Sequence, residues 1–130
     1  MFVTKDDKIM INEIAPRVHN SGHHTLQSSD TSQFEQHLRA ILGLPLGSTR
    51  LKHYAVMQNI LGPKNFSGRY KPIEIPKENG VYLKMYNKEE SKPQRKMGHF
   101  NVIDEDDTCD IGMLVSKVEK IKDSIKFVPV

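Results

Sequence analysis

The sequence predicts an α+β protein, in which a few helices are segregated from several short strands. Two observations carry this prediction. Short stretches in both halves of the chain alternate apolar and polar residues, as strands do. Two other stretches, beginning near Ser32 and Ile111, repeat apolar residues at helical spacing. Glycine and proline separate these stretches, and we find no internal repeats.

The first residues are expected to form a β-hairpin. Apolar and polar residues alternate on both sides of the polar turn from Lys5 to Lys8, which predicts strands near Met1 to Thr4 and Ile9 to Ile14. A segment rich in His, Asn, Ser and Gly follows, from Val18 to Asp30, and has no sustained hydrophobic period. We expect a loop there, of the kind that more often binds ligands than supports the fold.

The clearest secondary-structure signal is a helix that begins after Ser32. Ser32 and Glu35 form a capping-box pattern, and Gly43 is a suitable C-terminal cap. Between them apolar residues recur at helical spacing, at Phe34, Leu38, Ile41 and Leu42. Phe34 and Leu38 are therefore expected in the core. Pro45 and Gly47 then break the chain, which places a lobe boundary near Ser48.

The second half of the chain is predicted to contain mostly strands. The expected elements are strands over 51–61, 81–86 and 99–103, a connecting loop over 62–80 that includes a short strand at 73–75, a helix over 111–125 and a last strand over 127–130. A basic loop joins the strands at 81–86 and 99–103. The acidic stretch from Asp104 to Asp107 is expected to be a hairpin tip.

Composition excludes several classes of protein. The 130 residues match one ordinary domain, and 37% hydrophobic with 27% charged residues is typical of a globular chain. No apolar run approaches the roughly 20 residues of a membrane span, and the first residues lack a signal-peptide pattern, so we expect a cytoplasmic protein. Cys109, the only cysteine, excludes an internal disulfide and is interpreted as a packing residue.

Charge gives a weaker indication of the ligand. The formal net charge is +3 and the positive residues are not gathered into one long block. This favours small anionic ligands over nucleic acid. Tyr82 and Tyr86 beside lysines form too small an aromatic platform to indicate nucleic-acid binding.

One string of chemically capable residues runs from Asn12 to His23, as NEIAPRVHNSGH. A predicted strand ends at the carboxylate of Glu13 and leads to Arg17, His19, Asn20 and Ser21. The string TSQFEQHLRAILGLPLGS follows at 31–48. Together the two strings resemble the carboxyaminoimidazole ribonucleotide synthases of the ATP-grasp superfamily.

The resemblance implies roles for these residues. Glu13 would bind Mg²⁺ and thereby contact ATP, most of whose site would lie outside this chain. Arg17, His19 and Asn20 would be catalytic and, with Ser21, would bind bicarbonate. Mg²⁺ prefers carboxylate oxygen, and fixed cationic charge stabilises bicarbonate and carboxyphosphate. The chain departs from many ATP-grasp enzymes at Ala15, where those enzymes place an amide. By the resemblance, a second glutamate would fall just before the chain begins.

A second string, YNKEESKPQRKMGH at 86–99, carries Lys88, Arg95 and Lys96. It resembles the phosphate clamp of the same family. By that match Lys88 and Arg95 bind the phosphate of aminoimidazole ribonucleotide, since a planar guanidinium paired with an ammonium suits a phosphate dianion.

The resemblance also implies a fold and a reaction. Residues 1–48 would be the C-terminal part of an ATP-grasp domain, and 49–130 a small, mostly β lobe with a C-terminal helix. In the family's reaction ATP phosphorylates bicarbonate, and the resulting carboxyphosphate carboxylates the 5-amino group of aminoimidazole ribonucleotide. The chain corresponds to roughly the last third of the family's usual length, so we expect no ligase activity from it alone.

Three interpretations of the chain remain open. It is a fragment from a truncated gene or mistaken start, which we favour because Met1 falls within a predicted strand. Otherwise it is a subunit completed by a protein carrying the missing region, or a phosphate-binding module without catalysis. A homodimer is compatible with all three.

Simpler explanations exist for each motif. Glu13 alone would be an exposed strand-end carboxylate, and the cations at 88–96 alone would be a solvated loop. His19, His23 and His24 suggest zinc only superficially, because no cysteine or further ligand is placed to complete a site. His37 is assigned no role.

Overall fold

A computed structural model describes residues 2–71, 73–105 and 110–130. The strands are β1 (Phe2–Val3), β2 (Ile9–Met10), β3 (Ala55–Leu61), β4 (Gly68–Arg69), β5 (Val81–Met85), β6 (Glu90–Ser91) and β7 (Lys96–Ile103). The helices are α1 (Thr25–Ser28), α2 (Gln33–Ile41) and α3 (Ile111–Ser124), with a 3-10 turn at Asn20–Gly22. The chain therefore has the predicted α+β class.

The N-terminal hairpin is confirmed in a shorter form. β1 and β2 pair antiparallel, with Phe2 opposite Met10, and the turn between them places Asp7 at φ 57°. The prediction of a second strand reaching Ile14 was wrong. β2 ends at Met10, where β1 offers no further residue to pair with among those described.

The segment from Val18 to Asp30 is more ordered than predicted. It contains the 3-10 turn and α1, so the expectation of a plain loop was wrong. Local hydrogen bonds stabilise these turns. Because turns of this kind need no repeating apolar residues, the sequence showed no hydrophobic period that would predict them. The His19 side chain caps the 3-10 turn by accepting from the backbone N–H of Ser21, and the Thr25 hydroxyl donates to the Gly22 carbonyl at 2.6 Å.

Helix α2 begins where the capping pattern predicts. The Ser32 hydroxyl accepts from the backbone N–H of Glu35 at 3.2 Å, and Gly43 follows with φ 66°. The prediction that Leu38 is a core residue was wrong, because its side chain is 54% exposed. The later residues of the apolar face of α2 are all more than half exposed, with Ile41 at 65% and Leu42 at 66%. Phe34, at the start of the helix, is half-buried.

A three-stranded antiparallel sheet in the order β3-β7-β5 organises the second half. Its core consists of Ile60, Ile73, Met97, Phe100, Val102, Leu114, Val118 and Ile121. The last three lie on α3, which packs on one face of the sheet with a side-chain spacing of four and three residues. The opposite face carries polar side chains, because strand residues alternate between the two faces.

The remaining predictions for the second half of the chain are confirmed only in part. The strand predicted over 51–61 begins only at Ala55, and residues 73–75 form no strand where they are described, although Ile73 is buried in the core. Residues 127–130 contribute one isolated bridge, Tyr70 to Pro129. Cys109 and two of the four acidic residues at 104–107, Asp106 and Asp107, lie outside the described residues.

Candidate functional site

The candidate site forms where residues 19–34 cover the polar face of the sheet. Phe100 and Val102 of β7 point into the core, so His99 and Asn101 point to the other face. Asn101 joins the two parts of the chain, because its side-chain N–H groups donate to the His23 carbonyl at 3.1 Å and to Gln27 Oε1 at 2.6 Å.

Four rings pack together beside Asn101. His23 stacks on Phe34 with ring centroids 5.5 Å apart, and it packs against His99 in a tilted arrangement with centroids 4.6 Å apart. His99 Nδ1 lies 2.9 Å from the Tyr86 hydroxyl. These rings line one side of an open cavity of about 640 Å³, whose other wall includes Lys84. These contacts fix the segment that follows the predicted bicarbonate residues to β7, the strand in which the predicted phosphate-clamp string ends.

Burial sets the protonation of this cluster. His99 is 3% exposed, and burial lowers its pKa to about 4, with smaller effects from nearby His23 and Lys84. Burial also lowers the pKa of His23, and the positive charge of Lys96 acts in the same direction. The two histidines are therefore neutral at neutral pH.

Gln33 holds the turn that presents His19. Gln33 Oε1 accepts from the backbone N–H of His19 at 2.8 Å, and its Nε2 donates to the His19 carbonyl at 2.8 Å. A Cβ at Gly22 would lie 2.5 Å from Gln33 Oε1, so this approach requires glycine. The Ser21 backbone N–H donates to His19 Nδ1 at 3.2 Å, which places the proton of neutral His19 on Nε2.

Asn20 connects the two predicted strings directly. Its Nδ2 donates to Asn59 Oδ1 of β3 at 2.9 Å, and its Oδ1 accepts from Lys96 Nζ at 3.0 Å. The Lys96 carbonyl in turn accepts from Lys88 Nζ at 2.6 Å. One hydrogen-bonded series therefore links Asn20 to Lys96, 76 residues away in sequence, and Lys96 to Lys88, 8 residues away.

The basic loop at 88–96 is held in place by hydrogen bonds to backbone groups, both within the loop and at Gly62. Arg95 donates to the Glu90 carbonyl at 3.0 Å, and Lys88 Nζ lies 5.7 Å from the centre of the Tyr86 ring. Gly62 exchanges two backbone hydrogen bonds of 2.9 Å with the loop, one to the Arg95 carbonyl and one from the Gln94 N–H. These hydrogen bonds hold the backbone from which the basic side chains of the loop extend.

Glu13 and Arg17 are placed less tightly. Both are exposed, and Arg17 donates to the Val18 carbonyl at 3.0 Å. Within the described part of the chain, Glu13 makes no hydrogen bond or ion pair. No group of three metal-binding side chains occurs among the described residues, so the zinc interpretation of His19, His23 and His24 gains no support.

Sequence reasoning missed the residues that connect the strings. Asn59, Gln33 and Asn101 were assigned no role, and His23 was considered only as a zinc ligand. Strand alternation could have placed His99 and Asn101 opposite the core, because they alternate with Phe100 and Val102. No sequence signal indicates that residues 19–34 cover that face.

Comparisons with known proteins first define the class. Residues 1–34 match the ATP-grasp domain, and residues 55–109 match the phosphoribosylaminoimidazole carboxylase C-terminal domain. The chain therefore combines the C-terminal part of an ATP-grasp domain with the small lobe that follows it.

The relatives define the family. The chain is 50% identical over 99 residues to N5-carboxyaminoimidazole ribonucleotide synthase of Bacillus subtilis, covering 76% of this chain and 25% of that protein. The crystal structure of the synthetase from Thermotoga maritima superposes with a TM-score of 0.86 at 45% identity, covering 100% of this chain and 36% of that one. The synthase from Aspergillus clavatus in complex with ADP and 5-aminoimidazole ribonucleotide gives 0.73 at 33% identity, with 95% and 33% coverage.

The chain corresponds to the C-terminal part of the N5-carboxyaminoimidazole ribonucleotide synthases, which are ATP-grasp ligases of purine biosynthesis. It spans about a quarter of the length of the curated relatives it matches. The predicted family and fold class are confirmed, whereas the lobe boundary near residue 48 stays a prediction. None of the helices described here has the length and apolar character needed to cross a membrane.

Proposed function

We propose that this chain supplies one wall of the catalytic centre that carboxylates 5-aminoimidazole ribonucleotide with bicarbonate and ATP. The observation that carries the proposal is the hydrogen bond of 3.0 Å between Lys96 Nζ and Asn20 Oδ1. It brings the proposed bicarbonate segment against the proposed phosphate clamp. A carboxyl donor and a ribonucleotide held by these two segments would be neighbours, as carboxyl transfer requires.

Lys88 and Arg95 are proposed to bind the ribonucleotide phosphate. Each donates one hydrogen bond to a backbone carbonyl, at 2.6 Å from Lys88 and 3.0 Å from Arg95. An ammonium and a guanidinium have further N–H groups to donate, so both can still bind phosphate oxygens. The backbone contacts restrict both side chains before the ligand arrives, which lowers the entropic cost of binding.

Arg17, His19, Asn20 and Ser21 are proposed to bind bicarbonate and the carboxyphosphate formed from it. The neutral tautomer of His19 leaves Nε2–H free to donate to an anionic oxygen. Arg17 is exposed and adds a fixed positive charge. Donors and cationic charge of this kind stabilise the negative charge that develops during acyl transfer.

Glu13 is proposed as a ligand of Mg²⁺, which would neutralise charge on ATP phosphates when bound. The residues present fit this role in part. The Glu13 carboxylate is exposed and makes no hydrogen bond or ion pair with the described residues, so its oxygens are available to a cation. One carboxylate is a normal contribution to a magnesium site that also uses water and phosphate oxygens.

The proposal also concerns what completes the site. Apolar side chains of the hairpin and of α2 are exposed, with Ile9 at 70% and Ile41 at 65%. An uncovered apolar surface of this kind suits a protein interface. We infer that a polypeptide carrying the remaining ATP-grasp residues covers it, and that a homodimer is the alternative occupant. The cytoplasm is the proposed compartment.

Two experiments test the function. The 130-residue chain mixed with ATP, Mg²⁺, bicarbonate and the ribonucleotide is expected to form no ADP, because one wall cannot position ATP and metal together. Turnover by this chain alone would contradict that expectation. A second mixture adds a protein comprising the remaining portion of the synthase, and restored turnover supports the completed site.

Calorimetry with 5-aminoimidazole ribonucleotide examines the clamp separately. Arg95→Ala is expected to weaken binding about tenfold or more, since it removes a charge-assisted phosphate contact. Lys92→Ala, an exposed cation of the same loop, is the matched control and should bind as the wild type does. If both substitutions weaken ribonucleotide binding equally, the loop is a nonspecific positive surface and not a phosphate clamp.

A second candidate function is phosphate binding without catalysis. The observation in its favour is that Lys88 and Arg95 are both anchored within residues 88–96 and do not depend on Glu13. A module of this kind would lose ribonucleotide binding in Arg95→Ala and keep it in Glu13→Ala. It would also give no turnover in the presence of the completing protein.

A further inference from the structure

Asn59 occupies a position between the two proposed anion sites. It lies on β3, directly opposite His99 of the central strand β7. Its side chain is half-buried, and its Oδ1 accepts the hydrogen bond of 2.9 Å from Asn20 Nδ2. Neither the motifs nor the family resemblance assigns Asn59 a role.

The bond from Asn20 to Asn59 fixes the direction of the Asn20 carboxamide. A carboxamide has donors on its nitrogen and acceptors on its oxygen. With Nδ2 directed at Asn59, the oxygen is directed at Lys96 Nζ, 3.0 Å away. The reversed carboxamide would place an NH2 group against the Lys96 ammonium and leave Asn59 Oδ1 without this donor, so the two contacts support a single orientation.

Lys96 is the residue that this orientation controls. Its backbone carbonyl already holds the Lys88 ammonium at 2.6 Å, whereas its own ammonium is on an exposed side chain. One N–H of that ammonium is directed to Asn20, and two remain available to an anion. Without Asn20 in the observed orientation, the flexible side chain of Lys96 would sample many rotamers.

We propose that Asn59 is a positioning residue that acts through Asn20 to hold the Lys96 ammonium beside the phosphate clamp, where Lys96 serves as a third anion-binding cation. This inference rests on the proposed function, because it assumes that the clamp binds phosphate. Asn20 then orients a cation as well as facing the bicarbonate site.

A double-mutant cycle tests the proposal with inorganic phosphate as the probe. Asn59→Leu and Lys96→Ala are made singly and together in the 130-residue chain, and phosphate affinity is measured by calorimetry. Lys96→Ala keeps the backbone carbonyl that holds Lys88, so it removes only the ammonium. We expect about a fivefold loss from Lys96→Ala and roughly a threefold loss from Asn59→Leu. The double variant should bind no more weakly than Lys96→Ala.

A spectroscopic readout separates positioning from general stability. In the ¹⁵N-labelled chain, Asn59→Leu should accelerate hydrogen exchange of the Asn20 side-chain amide. Asn59→Asp retains the accepting oxygen and should leave this exchange rate at its wild-type value. Asn79→Leu, at an exposed asparagine, is the matched control and should change neither readout. If Asn59→Leu does not fold, Asn59→Ala replaces it in both measurements.

Each outcome decides between the proposals. Additive losses in the cycle, or unchanged exchange of the Asn20 amide in Asn59→Leu, overturn the positioning role of Asn59. If the wild-type chain binds neither phosphate nor the ribonucleotide, the proposed anion site fails and Lys96 loses its assigned role with it. The exchange of the Asn20 amide then still reports separately whether Asn59 orients Asn20.

Discussion

Gly62→Ala tests how the phosphate-clamp loop is held. Gly62 is buried where β3 ends, and a Cβ there would overlap the backbone carbonyl of Lys92 and approach Ser91 Oγ to 2.6 Å. The carbonyl is backbone and Ser91 is fully buried, so neither can rotate away. The loop must therefore move as a unit away from β3.

The cost follows from the contacts that this movement breaks. Two backbone hydrogen bonds of 2.9 Å join Gly62 to the loop, one to the Arg95 carbonyl and one from Gln94. Each contributes about 1 kcal/mol to stability, so their loss lowers the free energy of unfolding by about 2 kcal/mol. For a chain of this size the melting temperature falls by roughly 6 to 10 °C. Arg95 moves with the loop, so ribonucleotide affinity falls as well.

Thermal unfolding followed by circular dichroism, together with calorimetry, measures both effects. Gly112→Ala is the matched control, because Gly112 lies exposed in α3 and, among the residues that the structure describes, its Cβ would meet only the Asp110 side chain, at 3.1 Å. Alanine favours helix, so this control should melt at or above the wild-type temperature. A Gly62→Ala variant that melts and binds as the wild type does would refute the reasoning.

Three further predictions concern the aromatic cluster, the core and the His19 turn. The pKa of His99 is about 4 in the folded chain against an ordinary value of 6.5, so the unfolded chain binds more protons between these values. Stability should therefore fall by on the order of 3 kcal/mol as pH drops through that window, and His99→Gln should flatten the slope while the exposed His37→Gln does not. Val118→Ala, at a position 2% exposed, should lower the free energy of unfolding in urea by about 2 to 3 kcal/mol, whereas Leu38→Ala should lower it by under about 1 kcal/mol. Equal losses would contradict the observed exposure of Leu38. Gln33→Ala removes both hydrogen bonds to the His19 backbone and should accelerate exchange of the His19 amide, with no change for an amide in α3.

The predicted elements that formed are those with strong local signals. The Ser32 cap, the helix of 111–125 and the strand that begins at Val81 appear within a few residues of their predicted bounds. The turns at 20–28 were missed because side-chain caps and short-range hydrogen bonds form them, without any hydrophobic period. Leu38 was misplaced because periodicity identifies an apolar face but does not state what covers it.

The residues of the candidate site also differ in how far the sequence predicted them. The strings that carry Glu13, Arg17, His19, Asn20, Ser21, Lys88 and Arg95 were recognised from sequence because their residues are close together along the chain. Their roles remain predictions. Two residues that join the strings are Asn59 and Asn101. They lie 39 and 81 residues from Asn20 in the sequence, and no local pattern relates them to it.

The sequence by itself determined the family, the α+β class and the types of side chain available for binding anions, because these depend on residue identity and short spacing. Tertiary structure alone decided that Asn20 meets Lys96, that His23 packs against His99 and that most of the apolar face of α2 is exposed. The physical reason is that these contacts depend on how residues 19–34 pack on the sheet. That packing is selected by the combined burial and hydrogen bonding of residues that are distant along the chain.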